Sequence, residues 1–196
     1  EIRIVSLTVT EGGYYMNTTS KDFNIDHPDI KKDIENPTSP RTVFGVMVEA
    51  LRLRRQLGYG PVTGLCCDNL EKNGVVLHRA VTKLAEQIDP DLAEWISENC
   101  SFPCSMVDCI VPSTGAYELE LVQAYSLNDN VPVTHENFRQ WVIEDDFCAG
   151  RPDLEKVGVI FTKKVHYYET MKIRLLNGGH QIIANVGELL SLVTIS

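Results

Sequence analysis

The run "GPVTGLCCDN", residues 60–69, is a short apolar stretch closed by two polar residues, and its reading decides the fold. It is too short for a core helix. A buried strand fits it, with Asp68 and Asn69 at the tip. Just upstream, "SPRTVFGVMVEALRLRRQLG" (39–58) carries a Ser cap, a Pro in the first turn, apolar residues at helical spacing and a closing Gly58. Those features predict a helix. Further upstream, "IRIVSLTVT" (2–10) is β-rich and is halted by "EGG", which predicts a strand and a tight turn at Gly12 and Gly13. Between them, residues 17–40 hold three prolines among many Asp, Asn, Ser and Thr, the pattern of a long loop with one short helical turn.

Downstream, helices are expected from about Gly74 to Gln87 and from Pro90 to Glu98, followed by a third apolar run, "CSFPCSMVDCIVP" (100–112). The order strand, helix, strand, helix, helix, strand is that of an α/β sheet. Ligands of such sheets gather at the carboxyl ends of the strands, which groups Glu11, Asn69 and Asp108 as candidates. After Pro112 the pattern changes. "ENFRQWVIEDDF" (136–147) and "VHYYETMKIRLLNGGHQIIANVGELLSLV" (165–193) read as helical, separated by "AGRPDLEKVGVIFTKK" (149–164) with a turn and one strand. A domain boundary is therefore expected near residue 112.

Composition narrows the classes. With 43% hydrophobic and 23% charged residues, a chain of 196 can bury a sizeable core. The 27 acidic residues against 18 basic give a net charge of -9, which repels a phosphate backbone, so no nucleic-acid partner is expected. The cluster "RLRRQ" (52–56) and the pair Lys163 and Lys164 read as solvated faces. No apolar stretch approaches the roughly 18 residues of a membrane helix, and the N-terminus lacks the order of a secretory signal. A soluble, cytoplasmic chain without a membrane partner is expected, and its opening on Glu1 suggests a piece of something longer. Cys66, Cys67, Cys100, Cys104, Cys109 and Cys148 lie in apolar surroundings without Cys-x2-Cys spacing. They read as buried thiols, neither disulfide partners nor metal ligands.

One run conflicts with its surroundings: "MKIRLLNGGH" (171–180). On an α-helix Lys172, Asn177 and His180 fall within about 140° of arc and about 12 Å of rise, so one face presents all three to a single groove. An interior Asn and a Gly-Gly pair each cost the helix roughly 0.5–1 kcal/mol, a local conflict expected where a site overrides stability. The chemistry suggested is proton transfer with stabilisation of a developing oxyanion. Lysine serves as base when its charge is disfavoured, and amide N–H groups donate to the oxygen. A desolvated lysine would serve Schiff-base chemistry equally well.

Taken in order, "IRIVSLTVTEGGYY", "TVFGVMVEALRLRR", "CCDNLEKNG", "FPCSMVDCIVP" and "MKIRLLNGGH" resemble the polyol-specific long-chain dehydrogenases, from Ile2 to about Gly187. The resemblance implies the C-terminal part of a Rossmann-like dinucleotide-binding domain over 1–112, followed by the start of a mainly α-helical substrate domain over 113–196. It implies zinc-independent oxidation of a sugar alcohol to a ketose, and the reverse, with NAD as cofactor and NADP left open. Lys172 would be the base, Asn177 and Asn69 would hold the reacting oxygen, and His180 would contact substrate. Asp108 would lie by the cofactor, with Val107, Thr10 and Glu11 as further neighbours. No metal is implied, so the cysteines need no ligand role.

Two features depart from the family pattern. Cys109 stands where the motif has Arg after the Asp, and no G-x-G-x-x-G follows a strand. The segment alone is therefore expected to bind NAD poorly and to turn over little or not at all. A relative acting on arabinitol, fructuronate or mannitol 1-phosphate is the alternative enzyme. A uronate or phosphate would call for an added cationic anchor, and none stands out near the motifs. The alternative class is a non-catalytic binding or structural relative.

Overall fold

The computed structural model describes residues 2–17, 20 and 22–192. Strand β1 (Ile4–Leu7) runs parallel to β2 (Thr63–Cys66), in register from Ile4↔Thr63 to Leu7↔Cys66. All four residues of β2 are buried, as expected of a strand covered on both faces. A second sheet pairs β3 (Ser105–Asp108) antiparallel with β4 (Gln140–Ile143), and β4 in turn parallel with β5 (Ile160–Phe161). Between the two sheets the described residues form one backbone bridge, Thr63↔Ser101. Ser101 lies beside Thr63, and Ser105 Oγ donates to Cys66 O at 2.5 Å, so β3 follows β2 in the same direction without a ladder between them.

Four helices cover the first sheet: α1 (Pro28–Glu35), α2 (Val43–Gln56), α3 (Asn73–Ile88) and α4 (Pro90–Asn99). Phe44, Val48 and Leu51 of α2 pack with Leu77, Val81 and Leu84 of α3 and with Leu92 and Ile96 of α4 in one buried cluster. Each such side chain contributes about 1.5–3 kcal/mol by leaving water. Helix α2 closes as expected at Gly58, whose φ of +73° lets Tyr59 N–H reach Arg54 O and Gly58 N–H reach Arg55 O. Its start differs from expectation. Thr42, not Ser39, accepts the Gly45 N–H, because the buried Asp33 carboxylate binds both the N–H and the hydroxyl of Thr42 and fixes it before the first turn.

Three further segments differ from the sequence reading. The loop expected over 17–40 contains α1, a full two turns begun by Pro28 and capped by His27 Nδ1. The turn after β1 is a 3-10 turn, Glu11–Tyr14, with left-handed backbone on Thr10 and Tyr15 and not on its glycines. Residues 136–147, read as helical, contain β4. Val142 and Ile143 are fully buried between β3 and β5, and an apolar run of this length carries no period by which to tell strand from helix.

Beyond α5 (Ala116–Ala124), a wholly helical stretch begins at Val165 with α6 (Val165–Met171) and ends with α7 (Gly178–Leu189). The π-helical turn Lys172–Asn177 joins them. Sheet pairing thus crosses residue 112, since β4 and β5 extend β3. No helix among the described residues is long and apolar enough to cross a membrane.

Candidate functional site

The carboxyl ends of β2 and β3 meet the π-helical turn that follows α6 at Lys172. Its Nζ donates to Asn69 Oδ1 at 3.1 Å and to the main-chain oxygen of Val107 at 2.8 Å. Neither acceptor carries a charge. Because the amide oxygen Oδ1 of Asn69 takes the lysine N–H, its Nδ2 faces the other way. The loop before α3 is tied to the same helix a turn earlier, where Glu169 Oε1 accepts from Lys72 N–H at 2.9 Å. Burial raises the pKa of Glu169 above its ordinary value, and the Lys72 N–H partly opposes that rise.

Two side chains that the sequence reading did not place in the site organise the strand ends. Asp68, 5% exposed, accepts from the N–H groups of Val9 and Thr10 and from the Tyr14 hydroxyl. Burial, with Asp68 and Cys66 adding to it, drives the Tyr14 phenol far above its ordinary range, so it remains a donor. Thr10 is thereby held at φ 62°, ψ 165°, a backbone region that costs a non-glycine residue about 1–3 kcal/mol. Asn73, 1% exposed, spans the gap between β2 and β3 with its amide. The signal for both lay in "CDNLEKNG", where four amide or carboxylate side chains fall within six residues after a buried strand.

The helix motif takes a form that periodicity does not reveal. Lys172 to Asn177 is a π turn, and Gly178 N–H reaches Ile173 O, five residues back. Residues five apart lie about 140° apart on an α-helix, whereas i→i+5 bonding brings them to the same side. Lys172 and Asn177 are five apart and both half-buried. His180 is exposed, and neither its side chain nor that of Asn177 has a hydrogen-bond partner among the described residues.

Lys172, Asn69, Val107 and Asp108 line one cleft of about 710 Å³, within the range of small-molecule sites. Trp141, Leu154, Val157 and Val159 form its apolar wall. Thr10 and Glu11 are outside this lining; Thr10 connects to it through Asp68, next to Asn69. Arg139 lines the cleft, although no cationic anchor was evident in the sequence. The β3–β4 register, Asp108↔Gln140, sets Arg139 across from Cys109, the position where the family motif carries arginine. Arg139 has no ion-pair partner among the described residues.

All six thiols are free. Cys66 is buried and Cys67, Cys100 and Cys104 are half-buried, but Cys109 and Cys148 are exposed, against the expectation for these two. Cys109 follows the last residue of β3 into the open cleft, which leaves it uncovered. Burial pushes the Cys66, Cys67 and Cys100 thiols up to about 11. Among the described residues no group of three or more His, Cys, Asp or Glu side chains could hold a metal ion.

A parallel strand pair sheathed by helices, opening at its carboxyl ends onto a lysine held by an amide and a carbonyl, is an α/β arrangement of the Rossmann type. The chain belongs to the mannitol dehydrogenase family, whose Rossmann domain matches residues 1–156. It is 57% identical over 183 residues to mannitol 2-dehydrogenase of Cereibacter sphaeroides, covering 93% of this chain and 38% of that one. D-mannonate oxidoreductase of Escherichia coli K12 is 49% identical over 187 residues, covering 95% and 38%. Among solved structures, mannitol 2-dehydrogenase of Pseudomonas fluorescens in ternary complex with NAD and D-mannitol superposes with a TM-score of 0.89 at 45% identity, covering 97% of this chain and 39% of that one. The chain thus spans about two fifths of the length of these relatives.

Proposed function

We propose that this chain carries the lysine-centred part of the active site of an NAD-dependent dehydrogenase, with NADP as the other possible cofactor, that interconverts a mannitol-like sugar alcohol and its ketose. The observation that carries the reading is the pair of uncharged acceptors on Lys172 Nζ. A neutral amine has two N–H groups and one lone pair. With both N–H groups donated to Asn69 and Val107, the lone pair is left to take the proton of the substrate hydroxyl. The Nδ2 of Asn69, turned away from the lysine, donates to the oxygen as it becomes an alkoxide, and Asn177 adds a second amide from the helix. His180, a turn further on, contacts the substrate beyond the reacting carbon.

The cleft suits the nicotinamide end of the cofactor: it opens at the carboxyl ends of the strands, and Val107, Trp141 and Val159 give a flat ring an apolar wall. Asp108 and Val107 would flank it there, with Thr10 and Glu11 along the same strand edge. NAD held at this cleft would supply the acceptor for the hydride of the carbinol carbon. The division into a nucleotide-binding part over 1–112 and a helical substrate part over 113–196 belongs to this proposal, with β4 and β5 extending the first part's sheet.

The test is oxidation of a polyol panel by the intact protein with NAD and NADP, beside Lys172→Ala. The variant should lose about 10²–10⁴-fold in kcat, the range of general-base catalysis, with little change in KM for the nucleotide. Normal turnover of Lys172→Ala across pH would remove the base assignment. Failure of the parent to reduce either nucleotide with any polyol would remove the enzyme reading.

One observation favours a second reading, in which the substrate is a sugar acid. Arg139 brings an unpaired cation to the cleft, and the 49% identical relative is named for mannonate. Fructuronate in the same panel decides between them. If the acid is the substrate, Arg139→Ala raises its KM by about tenfold and leaves the KM of a neutral polyol unchanged.

A further inference from the structure

We propose that Asn73 is the positioning residue of the lysine site, one amide fixing the relative placement of the two groups that hold Lys172; the inference rests on the base assignment above. The strands carrying those groups belong to different sheets, so no ladder sets the distance between them. The Asn73 amide does so instead. Its Nδ2 donates to Cys66 O at 3.2 Å and Asp68 O at 3.0 Å on the β2 side, and to Ser105 O at 2.9 Å on β3. Its Oδ1 accepts from Ser105 N–H at 2.9 Å and from Gly74 N–H at 2.8 Å. Every donor and acceptor of the amide is engaged, in a residue 1% exposed, so no second orientation satisfies it.

The lever arms are short. Asn69 is the residue after Asp68, whose carbonyl Asn73 holds, and Val107 is two residues after Ser105, whose N–H and carbonyl it holds. Helix capping does not explain the side chain, because Lys72 occupies the cap of α3. Close docking does not explain it either. Gly74 already brings α3 against the chain at Phe102 and Pro103, where an added Cβ would come within 2.3 Å of Phe102 O. What remains for the amide is register between two strand ends, and that register aligns both N–H groups of a neutral Lys172. A shift of about 1 Å in one acceptor would misdirect the lone pair, and misplacement on that scale costs about 10²-fold in rate.

The test compares Asn73→Ala with Ile96→Ala in the intact protein. Ile96 is fully buried in α4, and its truncation destabilises the fold without touching the strand-end network. Asn73→Ala should lower kcat by about 10- to 100-fold and displace the acid limb of the pH profile for polyol oxidation, with KM for NAD little changed. Ile96→Ala should lower the thermal midpoint and leave the profile in place. Ser105→Ala, which removes the hydroxyl that donates to Cys66 O and accepts from Asn73 Nδ2 at 3.4 Å but keeps the main-chain bonds of Ser105 to the amide, should move the same limb by less and serves where Asn73→Ala fails to fold. Reductive methylation read by mass spectrometry reports on Lys172 without turnover. Release of its anchors should speed its modification by about fivefold relative to Lys156. Faster methylation in a parent that oxidises nothing would overturn the function and keep the positioning role. Unchanged kcat, pH profile and methylation in Asn73→Ala, or an Ile96→Ala that matches it in all three, would overturn the positioning role alone.

Discussion

At the strand ends, Asp68 and Asn73 are buried and their polar atoms are engaged; on the facing helix, neither the π turn nor α7 has a single buried residue. Leu175 and Leu189 stand 72% and 86% exposed there, and the side chains of Asn177 and His180 have no hydrogen-bond partner among the described residues. The two regions hold the same lysine to different tolerances. Asn69 and Val107 receive fixed positions from a saturated network, whereas the helix meets the strand ends through the polar contacts of Lys172 and Glu169 and, a turn or two earlier, through Val165 and Tyr168 packed on Met106 and Val142. Preorganisation of the oxyanion site would therefore reside on the strand side, with the helix supplying functional groups whose placement follows from that contact.

The comparison breaks most sharply on the two amides. Asn69→Ala removes both a lysine anchor and a donor to the alkoxide, and should cost about 10²–10³-fold in kcat, the usual effect of one oxyanion donor. Asn177→Ala should cost a similar factor only if the π turn brings it to the oxygen beside Lys172. A double-mutant cycle measures their coupling. Losses that simply multiply would show the amides acting independently, and an Asn177→Ala enzyme with full kcat would leave the helix contributing the lysine alone.

Stability sharpens the contrast with a smaller effect. Alanine at Gly74 would place its Cβ 2.3 Å from Phe102 O and 2.6 Å from the Pro103 carbonyl, backbone atoms that cannot step aside. Urea unfolding of Gly74→Ala should show a loss of about 1–3 kcal/mol, the usual cost of overpacking. Alanine at Gly179, where nothing lies within 4 Å, should instead gain about 0.4–1 kcal/mol by restricting the unfolded chain. Equal effects at both glycines would erase the distinction between a docked helix start and an open one.

What the amino-acid sequence disclosed follows the range over which each interaction acts. Strand β2, the closing Gly58 and the placement of Lys172 at the strand ends were legible because each follows from a local pattern of residue types. Strand β4 was not, since its buried pair becomes a strand only through β3 and β5 on either side. Arg139 enters the cleft by cross-strand register with Cys109, a relation between residues 30 positions apart. The π turn was hidden for a different reason: it changes which carbonyl each N–H meets without changing which residues are apolar. Asn73 combined both difficulties, an asparagine before a glycine whose partners come from two separate sheets.

The smallest effect probes the joint between the two regions. Glu169 binds Lys72 N–H, and burial raises its carboxyl above the ordinary value of 4.5. A raised carboxyl binds its proton more tightly in the folded than in the unfolded protein. Stability therefore falls as pH rises from about 4.5 through the raised value and is flat above it. Glu169→Gln keeps an acceptor for Lys72 N–H but never ionises, so it should remove that slope and leave the protein slightly more stable at neutral pH. Thermal midpoints of parent and variant taken every half unit from pH 4 to pH 8 would show the two curves converging at the acid end. Parallel curves would mean that Glu169 is solvated and that its contact with Lys72 N–H adds nothing to the hold of the helix on the strand ends.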